Sequence, residues 1–255
     1  MAGRFAAHID ALGGAMAATP VGRGTSIRSV HRRLRSVGPP RRLQAVVFDL
    51  GGVLIDWNPR YLYRKLFPGN APGMEEFLST ICTPAWNEKQ DAGRSIAEAE
   101  TELIALHPDK RDLIRAFYGR FGETLSGAIM GTVAVLEALD RSAIPLYALT
   151  NWSAETFPLA RARFDFLGRF RDIVISGATG TMKPDPAIYR LLLSRNGLEA
   201  ANAANCVFVD DSPANVAGAD ALGFTTILFR SPRWLEEELR GLGFLDTRVK
   251  NRSRG

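Results

Sequence analysis

The fold of this 255-residue chain is decided by Ala45-Val46-Val47-Phe48-Asp49-Leu50-Gly51-Gly52-Val53-Leu54-Ile55. A run of apolar, mostly β-branched or aromatic residues stops at an aspartate and two glycines, which predicts a buried strand that ends in a tight turn. Ligands of open α/β sheets bind beyond the carboxyl ends of the strands, and this stretch leaves the carboxylate of Asp49 there. The alternative for this stretch alone is that Asp49 merely begins a turn that the glycines permit.

The composition is that of an ordinary globular protein. Hydrophobic residues make up 46% of the chain, which is enough for a substantial core. No apolar run approaches the eighteen or so residues of a membrane span, so no membrane partner is expected. The net charge of +5 is concentrated at the two ends, since residues 1–44 carry +7, residues 248–255 carry +4 and residues 45–247 carry −6. Because this positive charge forms no patterned face, we do not expect nucleic acid as a partner.

The two ends and the cysteines bear on the compartment. Residues 1–44 are predicted to be a disordered or marginally helical basic extension, and residues 248–255 a basic tail. The Arg-rich, acid-poor extension is also typical of organelle transit peptides, and an overextended start site is a further interpretation. Cys82 and Cys206 give neither a disulfide framework nor a metal-ligand spacing, so buried thiols in a reducing compartment are expected. We expect a cytoplasmic monomer or homodimer.

Two patterns divide the rest of the chain. Residues 58–125 show helical apolar spacing with little β signal, which predicts a small helical domain inserted after the first strand. Residues 45–57 and 126–247 alternate short strands with helices, and five strands linked in this way predict an α/β fold with a Rossmann-like parallel sheet. Helices are predicted at 60–67, 74–80, 85–91, 96–106, 110–121, 133–139, 187–196 and 234–240, with further starts at 153 and 212; strands after the first are predicted at 145–151, 172–176, 206–211 and 225–229.

Polar residues follow four strands or lie close after them. They are Asp49, Thr150-Asn151, Lys183 and Asp210-Asp211. If the strands are parallel, these groups meet at one edge of the sheet. Each residue also has an interpretation without a catalytic role: the aspartates could cap a helix, the threonine could close a turn and the lysine could be solvated. Their joint occurrence in this order favours a site.

In these motifs the chain resembles the haloacid dehalogenase superfamily. The matching segments are Phe48-Asp49-Leu50-Gly51-Gly52-Val53, Leu149-Thr150-Asn151, Lys183-Pro184 and Val209-Asp210-Asp211. The resemblance covers residues 45–240 and implies that the helical insertion is a type-1 cap. It also implies that Asp49 is a nucleophile, which forms an aspartyl-phosphate that water hydrolyses.

The resemblance further implies the ligands of a Mg²⁺ ion and of the phosphate. The metal positions are Asp49, the carbonyl of Gly51, Asp210 and Asp211, the last as a ligand or as support. The phosphate set is Thr150, the backbone N–H of Asn151, Gly51 and Gly52. Trp57 and Arg60 are added as substrate residues because they lie close to this loop in sequence, and not because of the resemblance. Phosphoryl chemistry fits these roles, because a carboxylate can attack a phosphoryl group only when the negative charge is screened. Mg²⁺ on oxygen ligands and the ammonium of Lys183 would screen it.

Gly51 departs from the family pattern. The phosphatases usually carry a second aspartate two residues after the nucleophile, as the acid for the leaving oxygen and the base for water, and general acid–base help is typically worth about 10²–10⁴-fold in rate. One interpretation is a phosphatase with a good leaving group, such as the anomeric oxygen of a sugar 1-phosphate, or with a substitute acid from the cap or a water. The others are a metal-independent 2-haloacid dehalogenase, which the pair Asp210-Asp211 disfavours, and a regulatory protein without turnover.

Specificity is expected to come from the insertion and the loop that precedes it. Asp56, Trp57, Asn58 and Arg60 are close enough in sequence to reach over the site, and Trp86, Asn87 and Gln90 offer an aromatic and polar face. Such a face suits a sugar or another polar small molecule. The favoured alternative for the two tryptophans is that they pack the cap against the core. Together these features predict a Mg²⁺-dependent phosphatase of a small phosphorylated metabolite, with sugar phosphates as the leading class.

Overall fold

The computed structural model describes residues 44–198 and 200–245. The predicted extension before residue 44 and the basic tail at 248–255 lie outside these residues. The strands in chain order are β1 (Ala45–Phe48), β2 (Ile55–Trp57), β3 (Leu125–Ala128), β4 (Leu146–Thr150), β5 (Asp172–Ile175), β6 (Cys206–Asp210) and β7 (Thr225–Leu228). Five of them form a parallel sheet in the order β5-β4-β1-β6-β7. The predicted α/β fold is confirmed, with the strands of the sheet where the sequence indicated.

The first strand is central because its sequence is apolar on both faces. β1 pairs with β4 on one side and with β6 on the other, and all four of its residues are fully buried. Val46 and Phe48 belong to one hydrophobic cluster, and Ala45 and Val47 belong to the cluster on the opposite face. The alternation follows the two-residue period of a strand, and helices cover both faces. This burial fixes where Asp49 emerges.

The helices account for most of the remaining described residues. They are α1 (Arg60–Leu66), α2 (Ala71–Thr80), α3 (Pro84–Asp91), α4 (Ile96–Leu106), α5 (Arg111–Gly119), α6 (Met130–Arg141), α7 (Phe157–Arg163), α8 (Ser176–Thr179), α9 (Pro186–Arg195), α10 (Pro213–Ala221) and α11 (Pro232–Gly241). Several begin as their sequence directs, with proline in the first turn and an Asp, Ser, Thr or Asn cap before it. No helix among the described residues is both long and apolar enough to cross a membrane.

The helical insertion α1–α5 begins and ends at a short antiparallel ribbon. β2 pairs with β3, so the chain enters and leaves the insertion side by side. The sequence did not predict this ribbon, because strands of three and four residues are too short to show an alternation. An aromatic cluster lies inside the insertion: Tyr63 packs on Phe77, and Trp86 packs edge-on against Phe117, with ring centroids 5.1 and 5.3 Å apart.

Two further details differ from the sequence expectation. The helix expected from residue 153 begins at Phe157, because residues 153–156 form a turn in which the N–H of Phe157 bonds to the carbonyl of Ser153. The helix expected at 110–121 ends at Gly119 and is followed by a short 3₁₀ turn, Phe121–Thr124, that leads into β3. Both cysteines are buried, as expected.

Candidate active site

Asp49 stands at the carboxyl end of β1, where the chain turns sharply. The carbonyl of Leu50 accepts hydrogen bonds from the N–H groups of Leu54 and Ile55, which closes the turn. Gly52 has φ of +73°, a left-handed conformation that favours glycine. The N–H of Leu50 donates to Oδ1 of Asp49 at 2.7 Å. The glycines therefore shape a turn that holds the carboxylate of Asp49 at the edge of the sheet.

Lys183 joins two of the predicted carboxylates. Its Nζ lies 2.9 Å from Oδ1 of Asp49 and 2.7 Å from Oδ2 of Asp210, and its side chain is completely buried. Asp210 ends β6, the strand beside β1, so the parallel register brings the two carboxylates to the same ammonium. A buried charge is stable only when it is paired, and here one cation serves two anions.

Burial and these neighbours set the protonation of the pair. Burial, together with the charges of Asp210 and Asp211, raises the pKa of Asp49 to about 7 against the lowering effect of Lys183. Burial also opposes the ammonium of Lys183, but the charges of Asp49 and Asp210 outweigh that cost and hold the pKa of Lys183 above its usual value. Lys183 is therefore a permanent positive charge next to Asp49.

A group of hydrogen bonds holds Asp210. Its Oδ1 accepts from the N–H of Ser212 at 2.8 Å and from Nδ2 of Asn215 at 3.0 Å. Asn215 also donates to Oδ2 at 3.1 Å, and its own carbonyl accepts from the hydroxyl of Tyr189. These contacts fix the orientation of the Asp210 carboxylate and, through it, that of Lys183.

The loop after β4 holds Lys183 through its backbone. The side chain of Asn151 accepts from the N–H of Lys183 at 2.8 Å and donates to the carbonyl of Lys183 at 2.9 Å. Thr150, the last residue of β4, is buried beside this loop. The predicted residues of four segments, Asp49, Thr150-Asn151, Lys183 and Asp210-Asp211, thus lie at the carboxyl edge of three adjacent strands.

Three carboxylates form an oxygen-rich cluster. Asp49, Asp210 and Asp211 each offer an oxygen within 4.8 Å of the others, and Asp211 is exposed. The carbonyl of Gly51 accepts no hydrogen bond from the part of the chain that the structure describes. Such oxygen donors fit a hard divalent cation such as Mg²⁺, and one ammonium does not neutralise three acids. Gly52 is packed on this cluster, because a Cβ there would lie 2.3 Å from Oδ2 of Asp211.

A small cavity of about 70 Å³ opens beside Gly51. The lining residues are Gly51, Trp57, Asn87, Asp91, Tyr118, Phe121, Asn151, Trp152 and Thr156. A larger cleft of about 410 Å³ shares four of these, namely Trp57, Asn87, Asp91 and Asn151, and reaches Lys183 and Asn215. Residues of the helical insertion therefore face residues of the sheet edge across both spaces.

Of the other two predicted substrate residues, Trp57 lies at the site and Arg60 does not. Trp57 lines both spaces, and its indole Nε1 is buried with no hydrogen-bond partner among the described residues. Arg60 does not line either space: its guanidinium forms a bidentate pair with Glu75, with Nε–Oε1 and Nη2–Oε2 distances of 2.6 Å. The structure does not bring Arg60 to the site, because α1 directs its side chain toward α2.

The residues expected to form an aromatic and polar face do not all lie at the cavity. Trp86 and Gln90 are buried inside the insertion, where Gln90 bonds to the hydroxyl of Tyr118 at 2.9 Å. Asp56 accepts from Tyr61, and Asn58 caps the N–H of Arg60. Of this group, Trp57 and Asn87 line the cavity at Gly51.

Two residues at the site were missed by the sequence reasoning. Asn215 lies five residues after Asp210 on the first turns of α10, a spacing that could have identified it as a partner of the carboxylate. Asp91 ends α3 and shares the cavity with Gly51, and the sequence around it carries no comparable signal. Its placement depends on how the insertion packs against the sheet.

Comparison with known proteins identifies the family. The model of the haloacid dehalogenase-like hydrolase family matches residues 43–223, and the chain belongs to that family of hydrolases. It is 35% identical over 221 residues to a phosphoglycolate phosphatase of Rhodospirillum rubrum, which covers 79% of this chain and 85% of the relative.

Two other similarities also span most of this chain. The chain is 24% identical over 221 residues to drimenol cyclase drtB of Aspergillus calidoustus, covering 82% of this chain but only 40% of the relative's length. A HAD family enzyme of Bacteroides thetaiotaomicron, solved in complex with magnesium and inorganic phosphate, superimposes with a TM-score of 0.56 at 21% identity. That alignment covers 74% of this chain and 95% of the other, and at this identity it supports the fold.

Proposed function

We propose that this chain is a Mg²⁺-dependent phosphatase of a small phosphorylated metabolite, acting through an aspartyl-phosphate on Asp49. The observation that carries the proposal is the buried Lys183, whose ammonium lies 2.9 Å from Asp49 and 2.7 Å from Asp210 at the edge of the sheet. A carboxylate beside a fixed positive charge suits attack on an anionic phosphoryl group. The phosphatase relative supports the same class of substrate.

The residues of the site divide the work of phosphoryl transfer. Oδ1 of Asp49 is held by Leu50 and Lys183, so we assign the attack on phosphorus to Oδ2. The ammonium of Lys183 stabilises the negative charge of the transferring group, and the N–H of Asn151 and the hydroxyl of Thr150 are the proposed donors to its oxygens. Asn151 and Asp210 keep Lys183 in place through the contacts described above.

The metal is proposed on the donor set of the site itself. Asp49, Asp211 and the carbonyl of Gly51 would hold Mg²⁺, with Asp210 as a third carboxylate whose oxygens also accept from Lys183 and Asn215. A divalent cation there supplies positive charge that screens the phosphoryl oxygens from the nucleophile.

The substrate is proposed to be small, with a sugar phosphate such as a sugar 1-phosphate favoured. The space at Gly51 measures about 70 Å³ and combines aromatic walls with the amides of Asn87 and Asn151. The unpartnered indole N–H of Trp57 can donate to a substrate hydroxyl. We propose that residues 58–125 act as a cap that closes this space. We also propose that the protein is cytoplasmic and that it is a monomer or a homodimer.

The test is a parallel assay of phosphate release and halide release. Wild-type protein is incubated with sugar 1-phosphates, sugar 6-phosphates, 2-phosphoglycolate, p-nitrophenyl phosphate and 2-chloropropionate, each with Mg²⁺ and with a chelator. We expect phosphate release that the chelator abolishes and no halide release. Halide release that persists in chelator would instead show a dehalogenase, and binding of Mg²⁺ without turnover of any compound would show a regulatory protein.

Gly52→Ala tests the carboxylate cluster without relying on turnover. The new Cβ would lie 2.3 Å from Oδ2 of Asp211, so this carboxylate must move away. We expect the affinity for Mg²⁺ to fall by about 10–100-fold, the scale seen when the support of a metal ligand is removed. Isothermal titration of Mg²⁺ into the variant measures this loss.

Gly69→Ala is the matched control for that substitution. Gly69 has nearly the same φ, +72°, but a Cβ there meets no atom within 4 Å. Both variants should therefore lose about 1–2 kcal/mol of stability from the left-handed backbone, while only Gly52→Ala loses Mg²⁺ affinity. Equal affinities in the two variants would remove Asp211 from the proposed metal site.

A further inference from the structure

Asp91 is a titratable group that neither the family motifs nor the proposed mechanism uses. It is the last residue of α3, and it lines the cavity that also contains Gly51 and Asn151. It also lines the larger cleft that reaches Lys183. An acidic side chain of the insertion thus faces the site from the side opposite the sheet.

The backbone of Asp91 is tied to the loop that follows β4. The hydroxyl of Ser176 donates to the carbonyl of Asp91 and accepts from the N–H of Trp152 at 2.9 Å. Trp152 directly follows Asn151, whose side chain forms two hydrogen bonds with the backbone of Lys183. One serine therefore fixes the distance between the end of α3 and the loop that carries Asn151.

A directed chain of hydrogen bonds orients the side chain of Asp91. Gln90 donates to the hydroxyl of Tyr118 at 2.9 Å, and this hydroxyl donates to Oδ1 of Asn87 at 3.0 Å. The amide of Asn87 must then present its NH₂ group to Asp91, and it donates to Oδ2 at 2.8 Å. Oδ2 is held by this contact, and the backbone of Ser153 also donates to the carboxyl group, so the side chain of Asp91 has a fixed orientation.

Position 51, where the family pattern has a second aspartate, is Gly51 in this chain and lines the same cavity as Asp91. A Cβ at Gly51 would meet no atom within 4 Å, so the space beside the turn is open to a leaving group. Asp91 and Gly51 line the same cavity of about 70 Å³, so a leaving group in this cavity lies near the carboxyl group of Asp91. Proton transfer in catalysis needs a donor within hydrogen-bond reach of the reacting oxygen.

We propose that Asp91 is the general acid and base of this site, in place of the carboxylate that is absent at Gly51. The assignment rests on the proposed phosphatase function. In the first step a bond forms between Asp49 and phosphorus, the bond from phosphorus to the leaving oxygen breaks, and its electron pair takes the proton of Asp91. In the second step the Asp91 carboxylate takes a proton from water as the water oxygen bonds to phosphorus and the bond to Asp49 breaks. Asp91 then carries its proton again.

The surroundings of Asp91 support this role. Burial raises the pKa of Asp91 to about 7, opposed by hydrogen bonds from the backbone of Ser153 and from Asn87 and reinforced by Glu88. The ionisable groups that face it are Glu88 on its own helix, Tyr118 on α5 and, across the larger cleft, Lys183. Ser153 and Ser176, from the segments packed against it, carry no charge. A carboxyl that titrates near neutrality can serve as an acid and then as a base.

Leaving-group dependence tests the assignment. The probes are p-nitrophenyl phosphate, whose phenolate leaves without a proton, and phenyl phosphate, whose phenolate needs one. For Asp91→Asn we expect kcat/KM to fall by about 10²-fold or more with phenyl phosphate and to stay within about threefold with p-nitrophenyl phosphate. With p-nitrophenyl phosphate the variant should also release a burst of nitrophenol before a slow steady state, because hydrolysis of the aspartyl-phosphate lacks its base.

The pH profile and two further variants complete the test. In the wild type the ratio of kcat/KM for phenyl to p-nitrophenyl phosphate should fall as pH rises through about 7, and in Asp91→Asn it should be flat. Asp112→Asn, an exposed carboxyl at the start of α5, should behave as wild type. Gly51→Asp combined with Asp91→Asn should restore activity toward phenyl phosphate, since a Cβ at position 51 meets no atom within 4 Å.

The outcomes separate the two proposals. A wild type that releases phosphate, together with an Asp91→Asn variant that loses the same factor with both probes or loses nothing, would overturn the role of Asp91 and leave the phosphatase intact. A wild type that releases phosphate from neither probe and from no compound of the metabolite panel would overturn the phosphatase itself. If Asp91→Asn loses activity toward phenyl phosphate but reacts normally with p-nitrophenyl phosphate, the normal reaction shows that the variant is folded.

Discussion

Asp49→Asn is expected to abolish phosphate release while leaving the fold intact. The amide is nearly isosteric and can still accept from the N–H of Leu50, but it cannot act as the carboxylate nucleophile. Loss of a covalent nucleophile lowers kcat by about 10⁴-fold or more. Lys183 keeps Asp210 as its partner at 2.7 Å, so no buried charge is left alone. Phosphate release and the thermal unfolding midpoint measure the two halves of this expectation.

Two results would contradict that expectation. Near-normal turnover by Asp49→Asn would remove Asp49 as the nucleophile. An unfolding midpoint far below that of the wild type would mean that the inactivity reports on folding and that the carboxylate of Asp49 is a structural group.

Lys183→Met is expected to damage both stability and activity. The substitution leaves the carboxylates of Asp49 and Asp210 buried without their shared cation. Breaking a buried ion pair by removing one partner costs about 3–5 kcal/mol, which for a domain of this size lowers the unfolding midpoint by roughly 10 °C. Activity measured below that midpoint should fall by about 10²-fold or more, because the transferring phosphoryl group loses a fixed positive charge.

Lys65→Met is the matched control for that variant. Lys65 pairs with Glu123 at 2.8 Å, but 58% of its side chain is exposed to solvent. An exposed pair of this kind is worth at most about 1 kcal/mol, so its loss should hardly move the unfolding midpoint. Thermal unfolding in chelator compares the two variants, and equal midpoints would show that the buried lysine does not hold the site together.

The sheet and most residues of the candidate site could be predicted because local sequence carries their signals. The burial of β1 on both faces follows from the uninterrupted run Ala45–Phe48. Parallel pairing then brings Asp49 and Asp210 to one edge, and the order of the polar residues along the chain shows which strands contribute.

Other features depend on contacts between segments far apart in the chain. The β2–β3 ribbon joins Ile55–Trp57 to Leu125–Ala128 across the whole helical insertion, and neither strand is long enough to show a period. Arg60 is close to Trp57 in sequence, but the first turn of α1 directs it to Glu75. Proximity along the chain was therefore a poor guide to which side chains line the cavities at the site.

Asp91 shows the same limit from the other direction. It lies 40 residues after Gly51, and only the packing of α3 against the loop after β4 brings both to one cavity. The sequence could show that an acid was missing at position 51. The tertiary structure was needed to show which carboxyl stands opposite it.

The most direct test of the central claim is to trap the aspartyl-phosphate on Asp49. Protein quenched during turnover of p-nitrophenyl phosphate in Mg²⁺ is treated with borohydride, which reduces an acyl phosphate of aspartate to homoserine, and the digested peptides are sequenced by mass spectrometry. We predict homoserine at position 49, only in samples that received substrate. Phosphate release without homoserine at position 49, or with it at another aspartate, would contradict the account.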